Sequence, residues 1–128
     1  MKRSVQRLIE PIYRPRVLAP RPARILIQRR NDIVPIDLAN IERIQGADDY
    51  ATIVTTTKEY LASVRLADLE SRLAGANFVR IHRCHLVNLD YVHSIEGRGR
   101  GRFVVALKSG TRLNASLSGS RRLRKCAL

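Results

Sequence analysis

The densest cluster of chemically competent side chains is His82-Arg83-Cys84-His85. Imidazoles and thiols are common zinc ligands and common partners in nucleophilic catalysis. Zinc takes three or four such ligands, normally as separated pairs. Here they crowd into four residues, and alternate strand positions would point them to opposite faces. The remaining candidates, His93 and Cys126, stand apart in the sequence. A Cys–His nucleophile pair needs an orienting third group and a pocket, and no residue pattern supplies either. The cluster is therefore expected to hold no metal and no cofactor, and the chain is not expected to be an enzyme. Arg83 is its most informative member, because a guanidinium fork matches both phosphate and the guanine edge. Cys84 reads as a small packing residue.

Three further stretches carry charge in a pattern. Asp48-Asp49 are adjacent carboxylates in a turn, where neighbours diverge instead of converging on one proton. They read as solvated turn formers. Gly97-Arg98-Gly99-Arg100-Gly101-Arg102 lacks the Gly-Lys-Ser/Thr ending of a phosphate-binding P-loop and reads as a cationic hairpin loop, suited to phosphates, to a narrow minor groove or simply to solubility. Arg121-Arg122-Leu123-Arg124-Lys125 places four cations in five residues near the C-terminus.

The whole chain has 128 residues, 24 Lys+Arg against 11 Asp+Glu and a net charge of +13. That excess is uneven. The segment 1–24 is strongly basic with Glu10 as its one acid, 25–96 is close to neutral, and 97–128 contains no acid. A near-neutral middle with basic ends suits a folded scaffold that presents cationic surfaces to a polyanion. An anionic membrane would favour a long basic amphipathic helix, which the C-terminal pattern does not provide. No apolar run is long enough to cross a bilayer, so no direct membrane insertion is expected. The N-terminus lacks the apolar core of a secretory signal, and two cysteines do not make a disulfide scaffold. A cytoplasmic location is the simplest expectation.

The elements that must position these residues follow from periodicity. Residues 1–23 hold four of the five prolines and read as a basic Pro-rich tail or linker, with Val5, Leu8, Ile9 and Ile12 at helical spacing. From 24 onward the period changes to that of strands: 25–28, 33–36 (with Pro35 at an edge), 41–44, 50–57 and 60–62. Leu66, Leu69 and Leu73 mark one short helix, with Ser63 as its expected N-cap and Gly75 past its end. Strands resume over 79–82, 86–88, 91–95, 103–107 and 112–114, with Ser109-Gly110 as a hairpin turn. The stretch 118–128 is compatible with a short basic helix. The expected class is mostly β, built of small antiparallel sheets. No pair of consecutive helices supports a helix-turn-helix reader.

The order of motifs over 24–128 resembles the LytTR DNA-binding domain of bacterial response regulators. The carriers are Ile33-Val34-Pro35-Ile36 with Asp37-Leu38-Ala39-Asn40-Ile41, then Ala47-Asp48-Asp49-Tyr50, then the helix 66–73. The most specific is Phe78-Val79-Arg80-Ile81-His82-Arg83-Cys84-His85-Leu86-Val87-Asn88-Leu89, similar to the family's F-x-R-x-H-R-S-x-x-V-N hallmark. Leu107-Lys108-Ser109-Gly110-Thr111 and Ala115-Ser116 complete the order. The resemblance implies an elongated fold whose loops, in place of a recognition helix, enter successive major grooves. It places DNA-facing loops at 46–50, 82–85 and 116–122. The contact residues it implies are Asp49, Tyr50, His82, Arg83, His85, Ser116, Ser118, Arg121, Arg122 and Arg124, with Arg83 on a base, the last three mainly on phosphates, and Asn88 fixing the turn behind Arg83. Cys84 stands where the family usually has Ser, and Leu117-Ser118 where basic residues are common.

The expected function is sequence-specific binding of double-stranded DNA with repeated half-sites, as a homodimer on DNA, in a transcription regulator. Residues 1–23 are too few for a receiver domain, so a separate regulatory protein is the expected source of any signal. The alternative is a protein-interaction module with weak nucleic-acid binding, whose handle would be the N-terminal apolar positions. Single-strand or RNA binding through the Arg-Gly loop fits less well, because aromatics for stacking are 5% of the chain.

Overall fold

The first strand of the described residues starts at Arg24. The computed structural model describes residues 23–128; the Pro-rich segment before them, with Val5, Leu8, Ile9 and Ile12, lies outside the described residues. β1 (Arg24–Gln28) and β2 (Ile33–Asp37) form an antiparallel ribbon in which Pro35 lies opposite Leu26. A two-stranded ribbon is all edge, so a residue without an N–H is tolerated there. Its turn is closed by Arg29, whose backbone N–H donates to the Asp32 carbonyl at 2.8 Å and whose guanidinium grips the Asp32 carboxylate.

β3 (Ile41–Ala47), β4 (Tyr50–Thr55), β5 (Glu59–Ala62), β6 (Phe78–His82) and β7 (His85–Asn88) build a five-stranded antiparallel sheet in the order β5-β4-β3-β7-β6. β8 (Val92–Gly97), β9 (Phe103–Leu107) and β10 (Arg112–Asn114) form a separate sheet in the order β10-β9-β8. α1 (Leu66–Arg72) follows β5, and α2 (Leu117–Cys126) closes the fold. The mostly-β expectation, with one short helix and a basic C-terminal helix, is met.

Four local expectations need correction. α1 is capped at Arg65, not at Ser63, and without a side-chain cap bond. Val64 packs against the core ahead of the buried Leu66, which keeps the chain extended for two residues beyond Ser63. The strand expected over 50–57 stops at Thr55, whose hydroxyl donates to the Lys58 carbonyl at 2.6 Å and accepts from the Lys58 N–H at 3.0 Å, folding Thr56 and Thr57 into a turn. The strand expected over 41–44 continues to Ala47, because β3 is paired on both sides. Asn88 does not stand behind Arg83. It is buried at the far end of β7, donates to the Ile41 and Leu38 carbonyls and accepts from the Asp90 N–H.

The period of two along β6 and β7 divides the interior. Phe78 and Leu86 face a first core with Ile36, Ile41, Ile44, Ile53, Leu66, Leu69 and Leu73, roofed by α1 and the β1–β2 ribbon. Ile81 and Val87 face a second core with Val105, Leu107, Leu113, Ala115 and Leu123, which joins the third sheet and α2 to the back of the same strands. Side chains on successive strand residues point to opposite faces, so two short strands serve both cores.

Candidate nucleic-acid interface

Three segments expected to face DNA come to one edge of the molecule. The β3–β4 hairpin turns at Asp48-Asp49, with Asp48 in the left-handed region at φ 56°. The β6–β7 hairpin turns at Arg83-Cys84, with His82 paired to His85. Because β3 pairs with β7, the two hairpin ends lie side by side, and the Gly46 N–H donates to the Cys84 carbonyl at 2.9 Å. The start of α2 joins this row through the Ser116 N–H, which donates to the Ile81 carbonyl at 2.9 Å.

The middle hairpin is held from behind. Arg80, with only 16% of its side chain exposed, donates from Nε to the His82 carbonyl at 2.9 Å and from Nη2 to the Arg83 carbonyl at 2.7 Å. Its Nη1 is fixed by Glu70 of α1 at 2.8 Å. One guanidinium fork thus clamps two successive carbonyls leading into the turn. The Cys84 N–H donates to Nδ1 of His82 at 3.1 Å. The Arg83 side chain is exposed and makes no ion pair among the described residues.

The two histidines correct the expectation that alternate positions separate them. They face each other across the hairpin with ring centroids 5.5 Å apart. Burial, with His82 and the Arg43 charge as further causes, pushes the His85 imidazole below its ordinary pKa. Its Nδ1 is buried without a hydrogen-bond partner among the described residues. Among these residues no group of three His, Cys, Asp or Glu side chains is placed to hold a metal.

Asp49 is paired with Arg65 at 3.0 Å, which ties the first hairpin to the start of α1, while Tyr50 leaves half of its surface exposed. Ser116 caps α2 by accepting the Gly119 N–H at 3.0 Å, and its hydroxyl lies 3.2 Å from that of Ser118. Arg121 is exposed on the helix surface. Arg122 reaches back to donate to the Arg80 carbonyl at 3.1 Å, and Arg124 stacks over Phe103 at 4.7 Å from the ring centroid.

Sequence reasoning missed two residues that set this geometry. Arg80 was visible in the hallmark but carried no role. Gly119 is the other: a Cβ there would lie 1.8 Å from the Ile81 carbonyl oxygen, so only glycine lets α2 approach β6. The available signal was the spacing of Ser116, Gly119, Ser120 and Leu123, a face of small residues ending in one anchor. Ser120 is fully buried there and accepts the Phe103 N–H at 3.1 Å.

This arrangement, loops and a helix start aligned on one edge of small antiparallel sheets, is that of a LytTR-type DNA-binding domain. The family model described as the LytTr DNA-binding domain matches residues 31–127, and the chain belongs to that family. The family is one of DNA-binding domains rather than of enzymes. The solved LytTr DNA-binding domain of a methyl-accepting/DNA response regulator from Bacillus cereus superposes with a TM-score of 0.71 at 18% identity, covering 81% of this chain and 95% of that one. Among curated proteins, the heme-containing CO-sensing transcriptional regulator RcoM 1 of Paraburkholderia xenovorans is 43% identical over 76 residues, which is 57% of this chain and 28% of that protein. The sensory transduction protein LytT of Bacillus subtilis is 26% identical over 93 residues, 73% of this chain and 39% of that protein. The chain thus spans well under half the length of these curated relatives, and their heme and signals are stated of them alone. Among the described residues no helix is long and apolar enough to cross a membrane.

Proposed function

We propose that this chain regulates transcription by binding duplex DNA sequence-specifically, with the His82–His85 hairpin entering a major groove and Arg83 reading a guanine. The observation that carries this reading is the contrast between Arg80 and Arg83. Arg80 is almost fully committed to clamping the turn, and the turn exposes the Arg83 guanidinium, which makes no ion pair among the described residues. A preorganised arginine on a rigid hairpin is suited to the bidentate contact with guanine O6 and N7. His82 and His85 flank it as walls of the same turn. Tyr50 and Asp49 border it on one side, and the start of α2 with Ser116 and Ser118 on the other, where the positive end of the helix dipole favours phosphate. Arg121, Arg122 and Arg124 add phosphate contacts. The reading extends to repeated half-sites occupied by a pair of chains, to a separate regulatory protein as the source of the signal, and to action in the cytoplasm.

The test is selection of binding sites from random duplex DNA at near-physiological salt, comparing wild type with Arg83→Ala. A repeated motif is expected from the wild type. In the variant one position of each half-site should lose discrimination by about 1–3 kcal/mol, roughly 5- to 150-fold. Unselective binding that disappears with salt and ignores the substitution would overturn the reading.

A further inference from the structure

We infer that the Arg-Gly loop between β8 and β9 is a fourth DNA-contacting segment, which grips backbone phosphates beside the bases read by Arg83. The inference rests on the duplex-binding reading above and extends its footprint. The loop continues the same edge. The Ala115 N–H, just before α2, donates to the Phe103 carbonyl at 2.9 Å, and the Phe103 N–H donates to Ser120 of α2. Gly101 lies against the first residue of α2: a Cβ there would sit 3.6 Å from Leu117 and 3.8 Å from the Arg124 guanidinium. The row therefore runs from the Asp48-Asp49 turn through Arg83 and Ser116 to this loop.

Three properties fit the loop to phosphate. It has a defined shape, because the Arg98 N–H donates to the Arg102 carbonyl at 2.9 Å and Arg100 holds the left-handed backbone at φ 56°. Arg98, Arg100 and Arg102 are all exposed and form no ion pair among the described residues. The nearest acid in sequence, Glu96, is engaged by Arg112 at 2.7 Å, whose hydrogen bond, helped by Ser94, holds the carboxyl below its ordinary pKa. Arg98 is a smaller cause of the same shift, so Glu96 is committed first to Arg112 and offsets the loop's charge only at Arg98. Arg121, Arg124 and Lys125 on the adjacent helix are exposed as well, so this end of the edge is cationic, whereas the Asp48-Asp49 end carries acids. Free cations at one end of an edge are the complement of a strand backbone leaving the groove.

The experiment measures affinity for a mixed-sequence duplex against salt concentration, for the wild type and for R98Q/R100N/R102Q. Asn is chosen at 100 because it tolerates the left-handed backbone. The logarithmic salt dependence should become shallower by roughly 2 to 3 units, at about 0.9 for each phosphate no longer neutralised. The sequence selected from random DNA should stay the same. R98K/R100K/R102K should restore the slope, since phosphate accepts a point charge. Lys108→Gln, at the opposite end of β9, should leave the slope at its wild-type value. Thermal melts verify that all variants fold. An unchanged slope in the neutral triple variant would overturn the inference, and so would a changed base preference, which would mean groove reading by the loop. If wild type selects no sequence, the Arg83 reading fails, yet the mixed-sequence slopes still decide the role of the loop.

Discussion

The two cores on either side of β6 and β7 are built by different chemistry. The first is apolar and its fully buried members are aliphatic, with Ile41, Ile44, Ile53, Leu69 and Leu73 filling the space beneath α1. The second is closed by a helix that presents small and polar residues: Ser116 bonds to the Ile81 carbonyl, Gly119 sits on it, Ser120 is buried against Phe103, and Leu123 is the helix's apolar anchor. Burial of apolar area is non-directional and tolerates small shifts. Hydrogen bonds and backbone contact fix a position within a few tenths of an ångström. The first core is thus suited to supplying stability and the second to setting the position of the binding edge. Arg80 joins the two, since its side chain binds Glu70 of α1 and its carbonyl accepts from Arg122 of α2.

Gly119→Ala should separate the cores most sharply. The added methyl cannot coexist with the Ile81 carbonyl, so α2 must lift away. Releasing the burial of Leu123 and the Ser120 hydrogen bond costs on the order of 4 kcal/mol. Chemical denaturation should show that loss. Amide exchange should show α2 opening while β3 and β4 stay protected. Equal loss of protection in both cores would mean that they are one cooperative unit.

Arg80→Lys addresses the joint. A lysine keeps the charge for Glu70 but loses the fork that holds two carbonyls. Stability should fall by about 1–2 kcal/mol, and the motif selected by the intact Arg83 should flatten. A stability loss with an undiminished motif would assign Arg80 a purely structural role. Since Lys retains the ion pair, the flattening reports the geometry of the turn.

The smallest effect concerns pH. His85 is held below its ordinary pKa chiefly by burial, so the folded chain takes up that proton less readily than the unfolded one. Its contribution to stability is fully present above the unfolded value of about 6.5 and is lost as pH falls from there through the folded value. Melting temperatures from about pH 8 to about pH 5 should decline less steeply in His85→Gln than in the wild type. Parallel declines would show that His85 does not couple folding to pH.

Much of the fold was legible in the sequence. Strands announced themselves by alternation or by short apolar runs between turn residues, and β9 and β10 span the residues expected of them. The Gly75 stop of α1 holds, with φ at 86°. Legibility fails where tertiary contacts decide. Thr55 ends its strand through one hydroxyl, Val64 delays a helix, and Asn88 reaches strand and loop carbonyls some 50 residues earlier in the chain. For the candidate interface, the hallmark drew attention to Arg83, whose base contact is proposed, but not to Arg80, which holds its hairpin. Arg80 and Arg83 are the same residue type three apart, and only the backbone geometry of the hairpin separates the clamping side chain from the exposed one. Likewise, the His82–His85 proximity depends on where the turn falls, a shift of one residue in pairing.

The row of backbone hydrogen bonds, from Gly46 to Cys84, Ser116 to Ile81 and Ala115 to Phe103, has an entropic consequence. Segments already stitched together lose little freedom on association, so ordering them costs little. They are also poorly able to yield to a mismatched surface. On the duplex-binding reading proposed above, the compliance would come from the DNA, and sequences that bend easily at the right steps would gain affinity with no additional contact.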